Sequence, residues 1–340
     1  MRIISALLCA LVPVAAHAEY SWELAGLFDH SEQNPDLYET PSNEVDSDLV
    51  SVSATHYFTP VEEGSGPLAL AAFLDPHTQL SVNAGDEQIS NEFYAGPNSL
   101  FHEQAEEDIS DYSLRGLYLL AESKWYAGGR YARREGERRR AFSSVSGTGS
   151  GVSNRDVEDY AVFAGKYFGE GATRLELSLG RSSEEQETSS ASCSYSGVCF
   201  TPTYHSSEET WDTRRLGVMH VRRFRSATYA LLGEVSEQRF REGSLDGTPF
   251  PDFDLDPPRI YFVGAELYPV PTVGVRLGYE TVDELGLEEE TVSVGASWFF
   301  RRNVGLDLTL SRYQIDIEDP FIDDDQPSTD RAVLRVIGRL

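Results

Sequence analysis

The side chains with the most chemical capacity in this chain are arginines and carboxylates that alternate with apolar residues. They are Glu23, Arg115, Arg130, Arg134, Arg174, Glu176, Arg276, Glu280, Asp307 and Arg335. A guanidinium grips a carboxylate or phosphate through a planar fork. The set therefore suits an anion-selective constriction or the holding of inward-folded acidic loops, and composition does not choose between them. Arginine is the preferred cation throughout: of 28 basic residues, only Lys124 and Lys166 are lysine.

Other chemistries find less support. His30, His56, His77, His102, His205 and His220 lie in no recognisable nucleophile motif, so each reads as structural or solvent-facing and no catalytic residue is assigned. The Asp323-Asp324-Asp325 run lacks the alternating ligand spacing and the glycine of a calcium loop. Only His205 lies near Cys193 and Cys199, short of the four ligands of a structural zinc. The scattered glycines make no nucleotide-binding loop. The chain is therefore expected to use no metal and no cofactor.

The elements that hold these residues are legible from periodicity. In Val273, Val275, Leu277 and Tyr279, and again in Val292, Val294, Ala296, Trp298 and Phe300, every second residue is apolar. Period two with one oily and one polar face is strand chemistry. Strands are predicted at 20–29, 48–58, 67–75, 112–122, 125–134, 157–168, 172–182, 212–224, 227–240, 259–268, 272–282, 291–300, 304–315 and 330–340. Short turns such as Ser123-Lys124 alternate with long acidic segments, among them 85–111. That segment is expected to cover the outside or to fold into the mouth on Phe93, Tyr94 and Phe101. The stretch from 67 to 95 is the hardest to phase, since Pro76 either breaks the strand or is passed on the way to Ala84; twelve or sixteen strands are the alternatives to fourteen.

Short turns on one side and long loops on the other are the pattern of a transmembrane antiparallel up-and-down β-barrel, an all-β fold. Hydrocarbon requires every backbone polar group to be paired, so a sheet crossing it must close on itself. A soluble β-sandwich shares the alternation but not the alternating loop lengths. Aromatic residues near strand ends match two interfacial girdles, namely Tyr20, Trp22, Tyr57, Phe58, Trp125, Tyr126, Tyr167, Phe168, Phe224, Tyr268, Trp298, Phe299 and Phe300. With the apolar set facing lipid, the charged set above faces inward and lines the pore. The phases of 157–168 and 212–224 leave Lys166, Arg215 and Arg223 unplaced. About fourteen strands enclose more space than side chains fill, because ~8 strands already give a packed interior and 16–18 leave a channel. A water-filled pore is the leading expectation; an interior closed by Arg–Glu pairs is the alternative.

Length and charge agree with one domain in an oxidising, exported setting. Residues 1–18 read as a signal peptide: Arg2, then the apolar Ile3–Val14, then Ala16-His17-Ala18 as a cleavage site, leaving 19–340 as an outer-membrane barrel with both ends on the periplasmic side. Export makes a Cys193–Cys199 disulfide the expectation. No later apolar run is long enough for a transmembrane helix. The net charge of −28 excludes electrostatic nucleic-acid binding.

Three stretches resemble the putative general porin family of Gram-negative bacteria. They are Trp22-Glu23-Leu24-Ala25-Gly26, Gly66-Pro67-Leu68-Ala69-Leu70-Ala71-Ala72-Phe73-Leu74-Asp75, and Tyr112 to Tyr131; the second is the most specific. The resemblance implies passive passage of small hydrophilic solutes through an outer-membrane barrel, with no catalytic residues to carry over. Such barrels usually end in an aromatic residue read by the insertion machinery, whereas this chain ends Ile337-Gly338-Arg339-Leu340. Expected partners are outer-membrane lipids, small polar solutes and that machinery, with the oligomeric state left open. A non-conducting surface or adhesion barrel and a barrel-rim hydrolase are the competing classes.

Overall fold

A ribbon that is oily on one face and charged on the other hides its edges only by closing into a cylinder, and the chain does so. The computed structural model describes residues 19–34, 42–62, 66–95, 101–120, 122–144, 147–169, 172–194, 199, 202–225, 227–250, 257–284, 287–317 and 328–340. Its strands are β1 (Glu19–Asn34), β2 (Ser42–Glu62), β3 (Gln79–Ala95), β4 (Phe101–Leu120), β5 (Trp125–Ser144), β6 (Gly147–Phe168), β7 (Thr173–Ser194) and β8 (Thr203–Phe224). They continue with β9 (Ala227–Leu245), the two-residue β10 (Thr248–Pro249), β11 (Arg259–Val270), β12 (Val273–Glu284), β13 (Leu287–Arg301), β14 (Val304–Ile317) and β15 (Ser328–Arg339). β10 only folds back on the end of β9; the other fourteen strands pair antiparallel in a closed ring. The expected export signal at 1–18 and the Asp323-Asp324-Asp325 run lie outside the described residues.

Closure occurs between β1 and β15, from Glu23↔Arg339 to Asn34↔Ser328. The seam is clasped by the ion pairs Asp29–Arg331, Glu23–Arg335 and Glu23–Arg339. The Leu340 N–H donates to the Trp22 carbonyl at 2.9 Å, so the last residue completes the ladder.

The outward faces carry the predicted alternation. Leu175, Leu177 and Leu179 on β7, Val275 and Leu277 on β12, and Val292 and Val294 on β13 all project from the wall, with Leu277 61 % exposed. An isolated cylinder in water would not tolerate this belt; a bilayer requires it. Leu277→Arg is expected to cost about 2–4 kcal/mol when unfolding is followed in lipid vesicles. Ser293→Arg, on the lumenal face between the uncharged Gly278 and Ser311, should cost less than about 1 kcal/mol by the same measurement, because a charge there remains in water.

Two expectations are corrected. Residues 85–111 are not a long loop: β3 and β4 pair continuously from Gln79↔Leu117 to Ala95↔Phe101. Phe93, Tyr94 and Phe101 lie at the far end of that ribbon, where Phe93 meets Phe101 and Tyr94 stacks on His102. Much of the acidic sequence read as loop is likewise strand, including Glu184, Glu185 and Glu187 on β7 and Asp283 and Glu288 paired across β12 and β13. The ladder of backbone hydrogen bonds continues beyond the oily belt, where both faces meet water and the alternation vanishes. The second correction is the segment 67–75, which is not a strand at all. Cys193 and Cys199 are joined by a disulfide, as expected.

Candidate functional site: the barrel lumen

The chain between β2 and β3 turns inward. Pro67 lacks a donor for a ladder, and Leu68-Ala69-Leu70-Ala71-Ala72-Phe73-Leu74 is a run of helix-compatible residues without period two. Leu68–Leu70 form a 3-10 turn and Ala71–Leu74 one helical turn, α1. Tight winding sends successive side chains in different directions, and each finds a different part of the wall. Leu68 packs with Ala25, Phe299 and Ile337. Leu70 packs with Met219, Val221, Ala230 and Tyr268. Ala71 joins Tyr20, Tyr57 and Val61, and Phe73 rests on the cluster of Leu117, Tyr126, Phe163 and Tyr167. The segment thus lies across the lumen as a plug at the end bearing the short turns.

Polar contacts hold its two ends. The Leu68 N–H donates to the Pro271 carbonyl at 2.9 Å. Asp75 accepts the Glu62 N–H at 2.8 Å and bonds the His77 ring at 2.8 Å.

The socket explains six aromatic residues that the girdle expectation misplaced. Tyr20, Tyr57, Tyr126, Tyr167, Tyr268 and Phe299 are all buried and face inward, whereas Trp22, Phe58, Trp125, Phe168, Phe224, Trp298 and Phe300 face outward. Adjacent strand residues point to opposite faces. Each neighbouring pair, such as Tyr57-Phe58 or Tyr167-Phe168, therefore gives one ring to the belt and one to the lumen. That doublet was the signal available in the sequence.

Glycines let these rings lie against the wall. A Cβ on Gly165 would overlap the Tyr126 hydroxyl and the Leu175 carbonyl. Gly165→Ala is expected to destabilise by about 1–3 kcal/mol through overpacking, read from thermal unfolding in detergent.

The predicted pore-lining residues occupy the inner face, but most are engaged. Glu23 binds Arg335 at 3.4 Å and Arg339 at 3.1 Å. Arg276 pairs with Asp307 and donates to Thr309 Oγ1 at 2.7 Å. Glu280 lies in register with Phe262, which is itself opposite Glu234, and Arg134 shares the face of Arg130 on β5. Glu176 accepts the Tyr126 hydroxyl at 2.8 Å, with Arg115 Nη2 at 3.8 Å from the same oxygen. Arg174 lies 5.6 Å above the Phe73 ring, joining the plug to the charged wall. Of the unplaced cations, Arg215 proves lumenal and pairs with Glu234 at 2.9 Å. Arg223 shares that face, while Lys166 sits outside between the Trp125 and Phe168 rings.

Above the Phe163 ring lies a cavity of about 500 Å³ lined by Ser53, Thr55, Ser81, Ser113, Arg115 and Arg130, among others. At the opposite rim, outside the membrane belt, His205 and then the Ser206 N–H hold the Asp246 carboxyl below its ordinary range. This support for the turn ending β9 is present above the usual carboxylate pKa and is lost as pH falls through the lowered value.

No protein-family model matches the sequence, and no curated protein sequence matches it. Solved structures do share its shape. The Ralstonia pickettii toluene transporter TbuX aligns over 94% of this chain and 90% of its own, at 10% identity and a TM-score of 0.61. The Acinetobacter baumannii outer membrane protein Omp33 aligns over 95% and 99%, at 14% identity and a TM-score of 0.51. The translocator domain of the autotransporter NalP from Neisseria meningitidis aligns over 100% and 94%, at 9% identity and a TM-score of 0.51. At such identities the likeness speaks for the fold, that of an outer-membrane β-barrel.

Proposed function

We propose that this chain is a channel of the Gram-negative outer membrane for passive passage of small hydrophilic solutes, as the resemblance to the putative general porin family implies. One observation carries the proposal: an apolar outer belt surrounds an interior of arginines, carboxylates and hydroxyls with a cavity of about 500 Å³. Charged side chains at membrane depth belong beside water. The polar lining favours hydrophilic cargo over the aromatic hydrocarbon carried by the toluene transporter of similar shape. In this reading residues 1–18 direct export, the short-turn end faces the periplasm, and outer-membrane lipids bound the belt. The insertion machinery then engages a final strand ending in Leu340 rather than in an aromatic residue.

The plug favours a second reading, a non-conducting barrel whose tall acidic strands serve as a surface for adhesion. Purified full-length protein in planar bilayers separates the two. Stepwise ion-carrying openings are the expected result. Electrical silence of both the native protein and a plug-deleted variant would leave the surface role.

A further inference from the structure

Strand register sets Arg115 of β4 directly opposite Arg130 of β5, both on the lumenal face. Like charges at directly opposed positions weaken a sheet, so this pair costs stability unless something anionic sits between them. The protein supplies little. Arg115 is fixed with its guanidinium carbon 4.8 Å above the Phe163 ring. Its one ion pair, to Glu176, spans 3.8 Å and makes no hydrogen bond, and that carboxylate oxygen already accepts the Tyr126 hydroxyl. Arg130 makes no ion pair among the described residues. The other two arginines of the cavity lining are taken, Arg215 by Glu234 and Arg181 by Asp212. Asp159 lines the same cavity one pleat repeat beyond Arg130, opposite Ala132, but pairs with neither arginine among the described residues.

The remaining lining is rich in hydroxyls and amide. Ser81 and Thr55 bond each other at 2.9 Å, and Asn83 and Ser113 lie beside them. Two guanidinium forks next to hydroxyl donors and acceptors match an oxyanion carried on a polyhydroxy skeleton. The volume of about 500 Å³ falls within the usual range for small-ligand sites.

We infer that Arg115 and Arg130 form a lumenal receptor for the oxyanion of a small hydroxylated solute, a sugar acid or sugar phosphate in size. This deepens the channel reading and rests on it, with the receptor holding the solute just above the plug. Carboxylate and phosphate share the required chemistry.

Equilibrium dialysis of the full-length protein in detergent tests the receptor without requiring conduction. The probes are gluconate, inorganic phosphate and neutral glucose. Native protein is expected to bind gluconate or phosphate saturably and glucose not at all. Arg130→Gln should weaken binding by about tenfold or more, and Arg130→Lys should restore part of it, since it keeps the charge without the fork. Circular dichroism and heat-modified migration establish that each variant is folded. Binding of gluconate alone assigns the receptor to carboxylates, and binding of phosphate alone assigns it to phosphates. Absence of saturable binding to native protein, or equal binding by folded Arg130→Gln, overturns the receptor. Bilayer silence of both the native and the plug-deleted protein, with Arg130-dependent binding intact, would instead overturn the channel reading and leave the receptor standing.

Discussion

Replacing Pro67–Leu74 with a short Gly-Ser linker is expected to raise single-channel conductance by roughly tenfold or more, because a cylinder of this strand number otherwise leaves an aqueous passage. The segment reaches β1, β2, β4, β5, β6, β8, β9, β11, β13 and β15 through Leu68, Leu70, Ala71 and Phe73. Burying a leucine or phenylalanine side chain contributes about 1.5–3 kcal/mol. Leu70→Ala removes one anchor of about 2 kcal/mol and should make opening events about thirtyfold more frequent. The fold itself should survive both changes, since the wall closes without the plug. Planar-bilayer recordings decide it: unchanged conductance after excision would mean that the plug is not the barrier.

Arg276→Glu is the second large effect. The native guanidinium lies against Gly295, pairs with Asp307 and bonds Thr309. Reversing its charge leaves Asp307 facing a second carboxylate, with Glu280 two pleat repeats away on the same strand face. Breaking a buried pair costs about 3–5 kcal/mol; Arg276 is about a third exposed, so roughly 2 kcal/mol is expected in unfolding measurements. A passing ion about 7 Å away would feel a change of roughly 1 kcal/mol even at the dielectric constant of water. Cation permeability should therefore rise severalfold relative to anions. Reversal potentials across a salt gradient read this directly, and an unchanged value would remove Arg276 from the ion path. Arg276→Gln should give about half the shift.

The parts of the fold that were legible in the sequence are those where one face meets lipid and the other does not. β12, β13 and β14 were placed closely because Val275, Leu277, Val292 and Val294 alternate with glycine, serine and arginine. Outside the belt both faces are wet, period two has no cause, and the acidic halves of β3, β4 and β7 looked like loops. The plug failed for a different reason. An apolar run following a proline suits either a buried strand or a helical turn, and only the third dimension shows the socket that receives it. Parity alone sufficed to assign the charged set to the inner face. Its pairing was not legible, because Glu23 meets Arg335 and Arg339 only when the cylinder closes, more than three hundred residues apart along the chain.

Unequal strand lengths give the barrel a lopsided profile. β6, β7 and β8 run for 22 residues each, whereas β11, β12 and β15 run for 12. At about 3.3 Å per residue and a tilt near 40°, the long strands stand roughly 55 Å high and the short ones about 30 Å. One flank therefore rises as a cowl over the entrance while the other ends near the lipid headgroups. In the proposed channel a solute arriving from the low flank meets the opening first, whereas one arriving from the opposite side must pass over the cowl.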